Sequence, residues 1–247
     1  MSIKNSEKST FLVYNTDEEE KDMKEIKERL KEKQDIKYRD FTIKLIPGLA
    51  EERFIGVRIP ELRKLAKEII REGKQEEFLG ELPHFYQEEN QLHSFILSYM
   101  KLSFEDGIEE TEKFLPYIDN WAVCDSFRPD FLKRNHEKAE PYIRKWLKSE
   151  KTYTVRYAFV VLLNWYLDSE DDLKFLEDAA AVKSDEYYVN MAAAWYFSMA
   201  LVKHYDIVLP YIEERRLGPE VHSRTIQKAV ESLQINNERK KYLRSLK

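Results

Sequence analysis

The stretch FIGVRIPELRKLAKEII, residues 54–70, carries the pattern that decides the fold. Proline is favoured in the first turn of a helix, so Pro60 marks a helix start. Apolar residues then recur at helical spacing and form one stripe, made of Leu62, Leu65, Ala66 and Ile69. Gly73 is suited to end the same helix. The stretch therefore predicts an amphipathic helix whose apolar face needs a neighbour to cover it.

The composition of the 247-residue chain favours helices throughout. Only 6 glycines and 8 prolines are present, and few segments alternate apolar and polar residues as strands do. Hydrophobic residues make up 43% of the chain and aromatic residues 13%, which is enough for a sizeable core. This length suits one large domain or one continuous repeat array. We predict an all-α fold.

Helical patterns follow one another along almost the whole chain. Thr16 and Glu19 have the spacing of a capping box and open the first helix. A second helix, with Tyr38 and Phe41 on one face, ends at Pro47. Further helices are predicted at about 89–102, 105–118, 136–148, 153–167, 171–181, 187–203, 206–215 and 220–233, followed by a basic C-terminal helix or tail. Residues 1–15 are expected to be a loose arm, and residues 16–247 a single domain, because no Gly/Ser-rich linker interrupts them.

A weak internal repeat indicates how these helices are arranged. Positions 34 residues apart carry related side chains in three triplets: Arg156, Asn190 and Arg224; Tyr153, Tyr187 and Val221; Ala158, Ala192 and Ile226. A period of this length is typical of stacked helical hairpins. Equivalent positions then line up along one surface, so the first triplet is expected to form a polar row on the concave side of the array.

Charge argues against a general nucleic-acid binder. The chain has 41 Lys+Arg against 46 Asp+Glu, a net charge of -5. Between Arg128 and Arg156, however, nine basic residues face only four acidic ones. This stretch forms either one basic face or alternating solvated helix faces, and the sequence leaves both open.

Several kinds of site are disfavoured. The single Cys124 excludes an intramolecular disulfide and a cysteine zinc cluster, fits a reducing cytoplasm, and is expected in the core. The 5 histidines lack the spacing of metal-ligand pairs, and His93 is expected to be an interior histidine. Gly48 and Gly56 are too far apart for a phosphate-binding loop. No apolar stretch approaches the ~20 residues of a membrane span. We expect no metal, no cofactor and no membrane contact.

The segment IDNWAVCDSF, residues 118–127, is the strongest candidate for chemistry. In a helix, Trp121 and Asp125 lie one turn apart on the same face. A carboxylate beside an aromatic ring can stabilise a developing cation through its charge and through the ring quadrupole. The alternative is that Trp121 belongs to the core and Asp125 is a solvated or capping residue.

Three further tryptophans lie on later predicted helices. Trp146 and Trp165 are expected to pack between helices. Trp195 follows the alanines at 192–194, whose small side chains let a second backbone or a ligand approach. That setting suits an exposed stacking platform and tight helix packing equally well.

Four segments, in order, resemble the bacterial DNA alkylation repair family, the AlkD-type alkylpurine DNA glycosylases. They are residues 54–64 (FIGVRIPELRK), 119–125 (DNWAVCD), 155–158 (VRYA) and 194–195 (AW). The resemblance spans roughly residues 25–230. It implies an α–α superhelix of HEAT-like helical repeats, which agrees with the repeat read from the chain itself.

The resemblance also implies an activity, the hydrolysis of the N-glycosidic bond of cationic N3- or N7-alkylated purines in duplex DNA. It implies Asp125 as the catalytic carboxylate. The residues expected around the lesion are Trp121, Trp195 and Arg156, with Tyr38 or Phe41 as an N-terminal aromatic of the cleft. The residues expected at the DNA backbone are Arg58, Arg63, Lys64, Asn190 and Arg224. No cofactor is needed, because an alkylated purine is already a cationic leaving group, and a cytoplasmic monomer is expected.

This chain departs from the family in charge. Active members are typically basic, whereas here Asn190, Met191 and Ser198 stand where the family often has basic residues on the Trp195 helix. Each lost cation weakens binding to DNA phosphates. The alternative is therefore a non-catalytic HEAT-like module that binds a protein or an unusual nucleic-acid structure. The charge of the groove that leads to Asp125 discriminates between the two.

Overall fold

The computed structural model describes residues 16–247 of the chain, with side chains from residue 24 onward. These residues form fifteen α-helices and no strand. The helices are α1 (Thr16–Glu32), α2 (Ile36–Leu45), α3 (Ile59–Glu72), α4 (Gln75–Gly80), α5 (Gln87–Tyr99), α6 (Phe104–Phe114), α7 (Trp121–Ser126), α8 (Asp130–Arg134), α9 (His136–Leu147), α10 (Thr152–Trp165), α11 (Leu176–Ala181), α12 (Tyr187–Lys203), α13 (Tyr205–Glu213), α14 (Pro219–Glu231) and α15 (Asn237–Ser245). The all-α prediction is confirmed. The arm predicted at residues 1–15 lies outside the described residues.

Helix α3 follows the pattern read from residues 54–70. Pro60 lies in its first turn, and the four residues of the apolar stripe are the ones that are buried: Leu62, Leu65, Ala66 and Ile69. Gly73 ends the helix with a left-handed φ of 78°, and its N–H donates to the Ile69 and Ile70 carbonyls. Glycine takes this conformation without strain, which explains why the helix stops there.

The helices pack in two rows. In the first row α3, α5, α7, α10, α12 and α14 follow one another, each packed against the next. In the second row α6, α8, α9 and α11 follow in the same way, and α9 and α13 close the rows against α10 and α12. This is the α–α superhelix of HEAT-like repeats that the sequence predicted. None of the described helices is both long and apolar enough to cross a membrane.

Polar bonds between residues about one repeat apart join the second row. The Trp146 indole N–H donates to Glu112 at 2.6 Å, 34 residues away, and the Tyr211 hydroxyl donates to Glu177 at 2.7 Å with the same separation. Ion pairs with separations of 33 or 34 residues join Lys138 with Glu105, Lys145 with Glu112, Lys174 with Glu140, and Arg144 with Asp178. The spacing of these bonds agrees with the 34-residue period.

The basic stretch from Arg128 to Arg156 does not form one basic face. Five of its nine basic residues form ion pairs: Arg134, Lys138, Arg144, Lys145 and Arg156. Their partners are carboxylates of the same or neighbouring helices, so most of the local excess of positive charge is neutralised within the protein. The interpretation as solvated, paired helix faces is the one that the structure favours.

Two buried histidines lie side by side in the N-terminal half of the core. His84 and His93 are 6% and 1% exposed, and His84 Nε2 lies 3.0 Å from His93 Nδ1. Phe78 stacks on His84, and Phe114 stacks on His93 at 4.0 Å between ring centroids. Burial, with a smaller contribution from the charge of Lys27, lowers the pKa of His84 to about 4, and burial also lowers the pKa of His93 well below its ordinary value. His93 is the interior histidine that was predicted.

Acid should therefore destabilise this protein through the histidine pair. Between pH 6.5 and about 4 the unfolded chain binds protons that the folded pair refuses, so the free energy of unfolding should fall as the pH drops through this window. The expected slope is about 1.4 kcal/mol per pH unit for each histidine. Urea unfolding at several pH values, with the wild type and a His84→Phe/His93→Phe variant, measures it. An equally steep slope in the variant would show that other groups are responsible.

Candidate functional site

Helix α7 presents the segment that the sequence singled out. The Asn120 side chain accepts hydrogen bonds from the Ala122 and Val123 N–H groups and so begins the helix at Trp121. Asn is a favoured N-cap because its side-chain oxygen replaces the missing acceptor of the first turn. The buried face of α7 carries Val123 and Cys124, which is fully buried in the core as expected. Trp121 and Asp125 share the opposite, half-buried face.

Asp125 is paired with an arginine from the neighbouring helix α10. Arg156 Nε donates to Asp125 Oδ1 at 2.8 Å, and its NH2 group donates to Oδ2 at 2.7 Å. The third nitrogen, NH1, donates to the Tyr188 carbonyl at 2.9 Å. The two side chains are 7% and 18% exposed. Asp125 is therefore neither a capping residue nor a freely solvated one.

The electrostatics of this pair favour the charged arginine. Burial by itself lowers the pKa of Arg156, but the hydrogen bonds and the charge of Asp125 outweigh burial and leave that pKa above its ordinary value. A bidentate arginine fixes the plane of the carboxylate as well as its position. Each carboxylate oxygen has a further lone pair that Arg156 does not use.

Trp121 connects the pair to helix α2. Its indole N–H donates to the carbonyl of Leu45, the last residue of α2, at 3.0 Å. Helix α2 has no buried residue, and Phe41 and Leu45 are 58% and 45% exposed. It lies against the loop at Gly56, where an added Cβ would come within 2.5 Å of Arg39 Cβ. Helix α2 is thus a wall with little core of its own, placed by the close approach at Gly56 and by the Trp121 hydrogen bond.

Two concave regions meet at Trp121. The first cavity, of about 340 Å³, is enclosed by α2, α3, α5 and α7, and its lining includes Tyr38, Phe41, Arg63, Gln87, Gln91, Phe95, Trp121, Asp125 and Arg128. The second groove, of about 670 Å³, is lined by Lys44, Leu45, Pro47, Trp121, Arg156, Tyr187, Tyr188 and Met191. Trp121 and Leu45 line both, so they separate the two regions. The Asp125–Arg156 ion pair spans the same boundary.

The lining of the first cavity is positively charged. Asp125 is the one acidic residue among its lining residues, and it stands beside two arginines, Arg63 and Arg128. Arg63 stacks on Phe95 at 4.7 Å and donates to the Tyr99 hydroxyl. Arg128 Nε donates to the Asp125 carbonyl at 3.0 Å. A positive surface beside Asp125 is the outcome that favours an enzyme acting on DNA over a neutral module.

Several predicted residues lie away from this centre. Trp195 is 38% exposed and lines neither concave region, although it stands one helical turn from Met191, which does. The alanines at 192–194 are buried between helices, so both interpretations of this segment apply, the alanines to packing and the tryptophan to exposure. Trp146 is buried, and the partly buried Trp165 packs against the core as expected.

The residues predicted at the DNA backbone divide into exposed and internal ones. Arg63 and Lys64 are exposed on α3, and Arg58 is exposed but donates twice to Asp35. Asn190 is only 5% exposed, and its amide donates to the Ser184 carbonyl and to Glu220. Glu220 also accepts from Arg224. The expected polar row is therefore wrong for Arg156 and Asn190, which are buried because each is bonded to a carboxylate about 30 residues away.

The sequence analysis missed part of the site. Helix α5 begins with five polar residues in a row, and all five are buried: Gln87, Glu88, Glu89, Asn90 and Gln91. A polar run at a helix start reads as solvated, and only its position before a strongly apolar segment, LHSFIL, was a signal of burial. Arg128 was also missed, although it follows Asp125 by three residues. Within residues 24–247, no group of three or more His, Cys, Asp or Glu side chains is placed to hold a metal ion.

Comparison with known proteins agrees with this geometry. The family model described as DNA alkylation repair enzyme matches residues 19–233, a range that contains every predicted site residue from Tyr38 to Arg224. A comparison with curated proteins gave no match. Because the match covers most of the chain, the protein belongs to the DNA alkylation repair enzyme family, which supports a role in repairing alkylated DNA and an interaction with DNA.

Proposed function

We propose that this protein is an alkylpurine DNA glycosylase, which hydrolyses the N-glycosidic bond of cationic N3- or N7-alkylated purines in duplex DNA. The observation that carries the proposal is the Asp125 carboxylate, held by two hydrogen bonds from Arg156 at the wall of an aromatic, positively charged cavity. In this proposal residues 16–247 act as one domain, as a cytoplasmic monomer, without a metal or cofactor.

The proposed chemistry uses the charge already present on the substrate. When the bond from the sugar to the base breaks, its electron pair goes to the purine, which becomes neutral, and the sugar becomes oxocarbenium-like. The Asp125 lone pairs that Arg156 leaves unused can stabilise this charge or orient the water that adds to the sugar. The ring of Trp121 favours a cation beside it in the same way.

The remaining predicted residues receive roles from their positions. Trp121, Tyr38 and Phe41 form aromatic walls of the first cavity, and Arg63, with Lys64 beside it on α3, offers positive charge to DNA phosphates. Trp195 would stack against DNA further along α12. Asn190 and Arg224 would act through Glu220, and Arg58 through Asp35, unless DNA displaces these internal partners.

The burial of Arg156 leads to a specific expectation for this residue. Arg156→Met should lower the rate of base release by about 10²-fold, because Asp125 loses the two bonds that fix its orientation. Affinity for undamaged duplex should change little, since Arg156 is only 6% exposed. Single-turnover release assays and DNA titrations measure the two effects separately, and Arg156→Lys should recover part of the rate.

The matched control for Arg156 is Arg134→Met, which breaks an exposed pair with Asp130. It should alter neither quantity. Weakened binding to all duplexes with an unchanged rate of release would assign Arg156 to the DNA backbone, as the sequence alone implied, and not to the support of Asp125.

The experiment that tests the proposal is release of 7-methylguanine and 3-methyladenine from methylated duplex DNA at low salt. Release by the wild type that is lost in Asp125→Asn supports the glycosylase. Equal release by both proteins points to a contaminant or to another catalytic residue. No release by either, at high protein concentration, contradicts the proposal.

A second function, the non-catalytic binding module, is favoured by one observation. On α12 and α14 the polar groups of Asn190 and Arg224 are bonded to Glu220, so this half of the first row offers little free positive charge. Duplex binding without base release would favour the module.

A further inference from the structure

The first cavity has the size and walls of a pocket for one flat ring. Its volume of about 340 Å³ lies at the lower end of the range for ligand pockets, about 300–1,000 Å³. Aromatic side chains from three different helices line it: Tyr38 from α2, Phe95 from α5 and Trp121 from α7. Such walls favour flat and cationic rings through stacking and cation–π contact.

Polar groups at the base of the cavity have a fixed orientation. Gln91 Nε2 points to the Ala122 carbonyl at 3.4 Å and to the Ser126 hydroxyl at 3.5 Å. A carbonyl can only accept a hydrogen bond, so the NH₂ end of the Gln91 amide faces it. The Gln91 oxygen then accepts from Gln87 Nε2 at 3.1 Å. The backbone of α7 thereby determines which way both amides point.

This chain of bonds ends at one unused acceptor. Gln87 is 2% exposed and lines the cavity, and no donor among the described residues bonds to its Oε1 atom. A buried acceptor without a partner disfavours the empty pocket and favours a ligand that brings an N–H group. Purine bases carry such groups, the amino group of adenine and the N–H edge of guanine.

The mouth of the cavity is suited to the rest of a nucleotide. Arg63 and Arg128 are exposed among its lining residues and supply positive charge for phosphates on either side. Asp125 lies on the α7 wall, between the aromatic interior and Arg156. A base inside the cavity and phosphates at the two arginines would bring the sugar to the Asp125 carboxylate.

We propose that the first cavity receives the alkylated purine itself, extruded from the duplex, and that Gln87 Oε1 accepts a hydrogen bond from its amino or N–H edge. This inference rests on the proposed glycosylase function and adds a base pocket and a specificity-determining residue to it. Extrusion is a common solution where an enzyme must reach a base that is stacked in a duplex. Gln87 recognises the base, and Asp125 acts at the sugar.

The pocket can be tested without DNA. The probes are free 3-methyladenine and its analogue with a methyl group in place of the amino group, titrated by calorimetry into the full chain. We expect saturable binding, with the amino compound favoured about tenfold, because one hydrogen bond to Gln87 distinguishes the two. Equal binding of both compounds, or no saturable binding of either, would overturn the proposal.

Two variants at Gln87 separate recognition from folding. Gln87→Met keeps the length of the side chain without an acceptor and should remove the tenfold preference. Gln87→Glu keeps an acceptor oxygen and should retain it. The control is Gln227→Met, at an exposed glutamine whose amide touches only Glu231, and it should bind as the wild type does. A preference that survives in Gln87→Met would overturn the assignment.

Base release from methylated duplex completes the test. If the wild type binds the free base selectively but releases none from DNA, the glycosylase function fails and the pocket stands. If it releases 3-methyladenine while Gln87→Met releases it equally fast and the free base does not bind, the function stands and the pocket fails.

Discussion

Replacing Asp125 with asparagine should reduce the single-turnover rate of 7-methylguanine release by about 10²–10³-fold, the range seen when one preorganised charge or hydrogen-bonding group is removed from a transition-state site. Asparagine has nearly the same shape, so packing on α7 is preserved. It lacks the charge that stabilises the oxocarbenium-like sugar, and its NH₂ group would face one of the two Arg156 donors. The loss should therefore appear in the chemical step more than in DNA affinity.

A matched carboxylate separates this effect from general charge. Asp168 also forms an ion pair, with Lys203 at 2.6 Å, but its side chain is 79% exposed and lies away from the cavity. Asp168→Asn changes the net charge by the same amount and should leave release unchanged. A rate for Asp125→Asn within threefold of wild type would remove Asp125 from the proposed mechanism.

The helical repeat could be predicted because it depends on local patterns. The stripe in residues 54–70 and the proline and glycine at its ends are governed by helix geometry alone, and α3 matches them. The 34-residue period predicted stacked pairs, which the bonds between Glu112 and Trp146 and between Glu177 and Tyr211 now join. Long helices were placed to within about three residues of their ends. The short helices α4 and α8 were not, because five or six residues carry too little periodicity to stand out.

The site could be predicted only in part, because its geometry depends on contacts between distant segments. Trp121 and Asp125 were found together because their spacing places them on one face of α7. The bidentate bond between Asp125 and Arg156 joins residues 31 positions apart, so the sequence could suggest a basic neighbour but not that it would be buried. The same applies to Trp195, whose distance from both concave regions follows from how α12 crosses its neighbours. No local pattern contains that information.

Buried polar residues were the least predictable feature, and Glu88 shows why. Its side chain is 2% exposed and accepts hydrogen bonds from three backbone N–H groups, those of Ile55, Gly56 and Val57, at 3.0, 2.7 and 3.4 Å. Burial raises the pKa of this carboxyl, and the backbone bonds act against burial. Residues 55–57 belong to the first segment of the family resemblance, and they also carry the Gly56 turn on which α2 rests. One buried carboxylate thus holds the loop that places a wall of the cavity.

Removing that carboxylate should have the largest effect on stability. Glu88→Ala leaves up to three buried N–H groups without an acceptor, and we expect a loss of roughly 3–5 kcal/mol in the free energy of unfolding. Glu88→Gln should cost less, because one oxygen remains, but its NH₂ group then faces a backbone N–H. Urea unfolding measures both, and Glu109→Ala, which breaks an exposed pair with Lys113, should stay within about 0.5 kcal/mol of wild type. If Glu88→Ala shifted the unfolding midpoint no more than this control, the loop would be held by its other contacts, and the position of α2 over the cavity would need a different explanation.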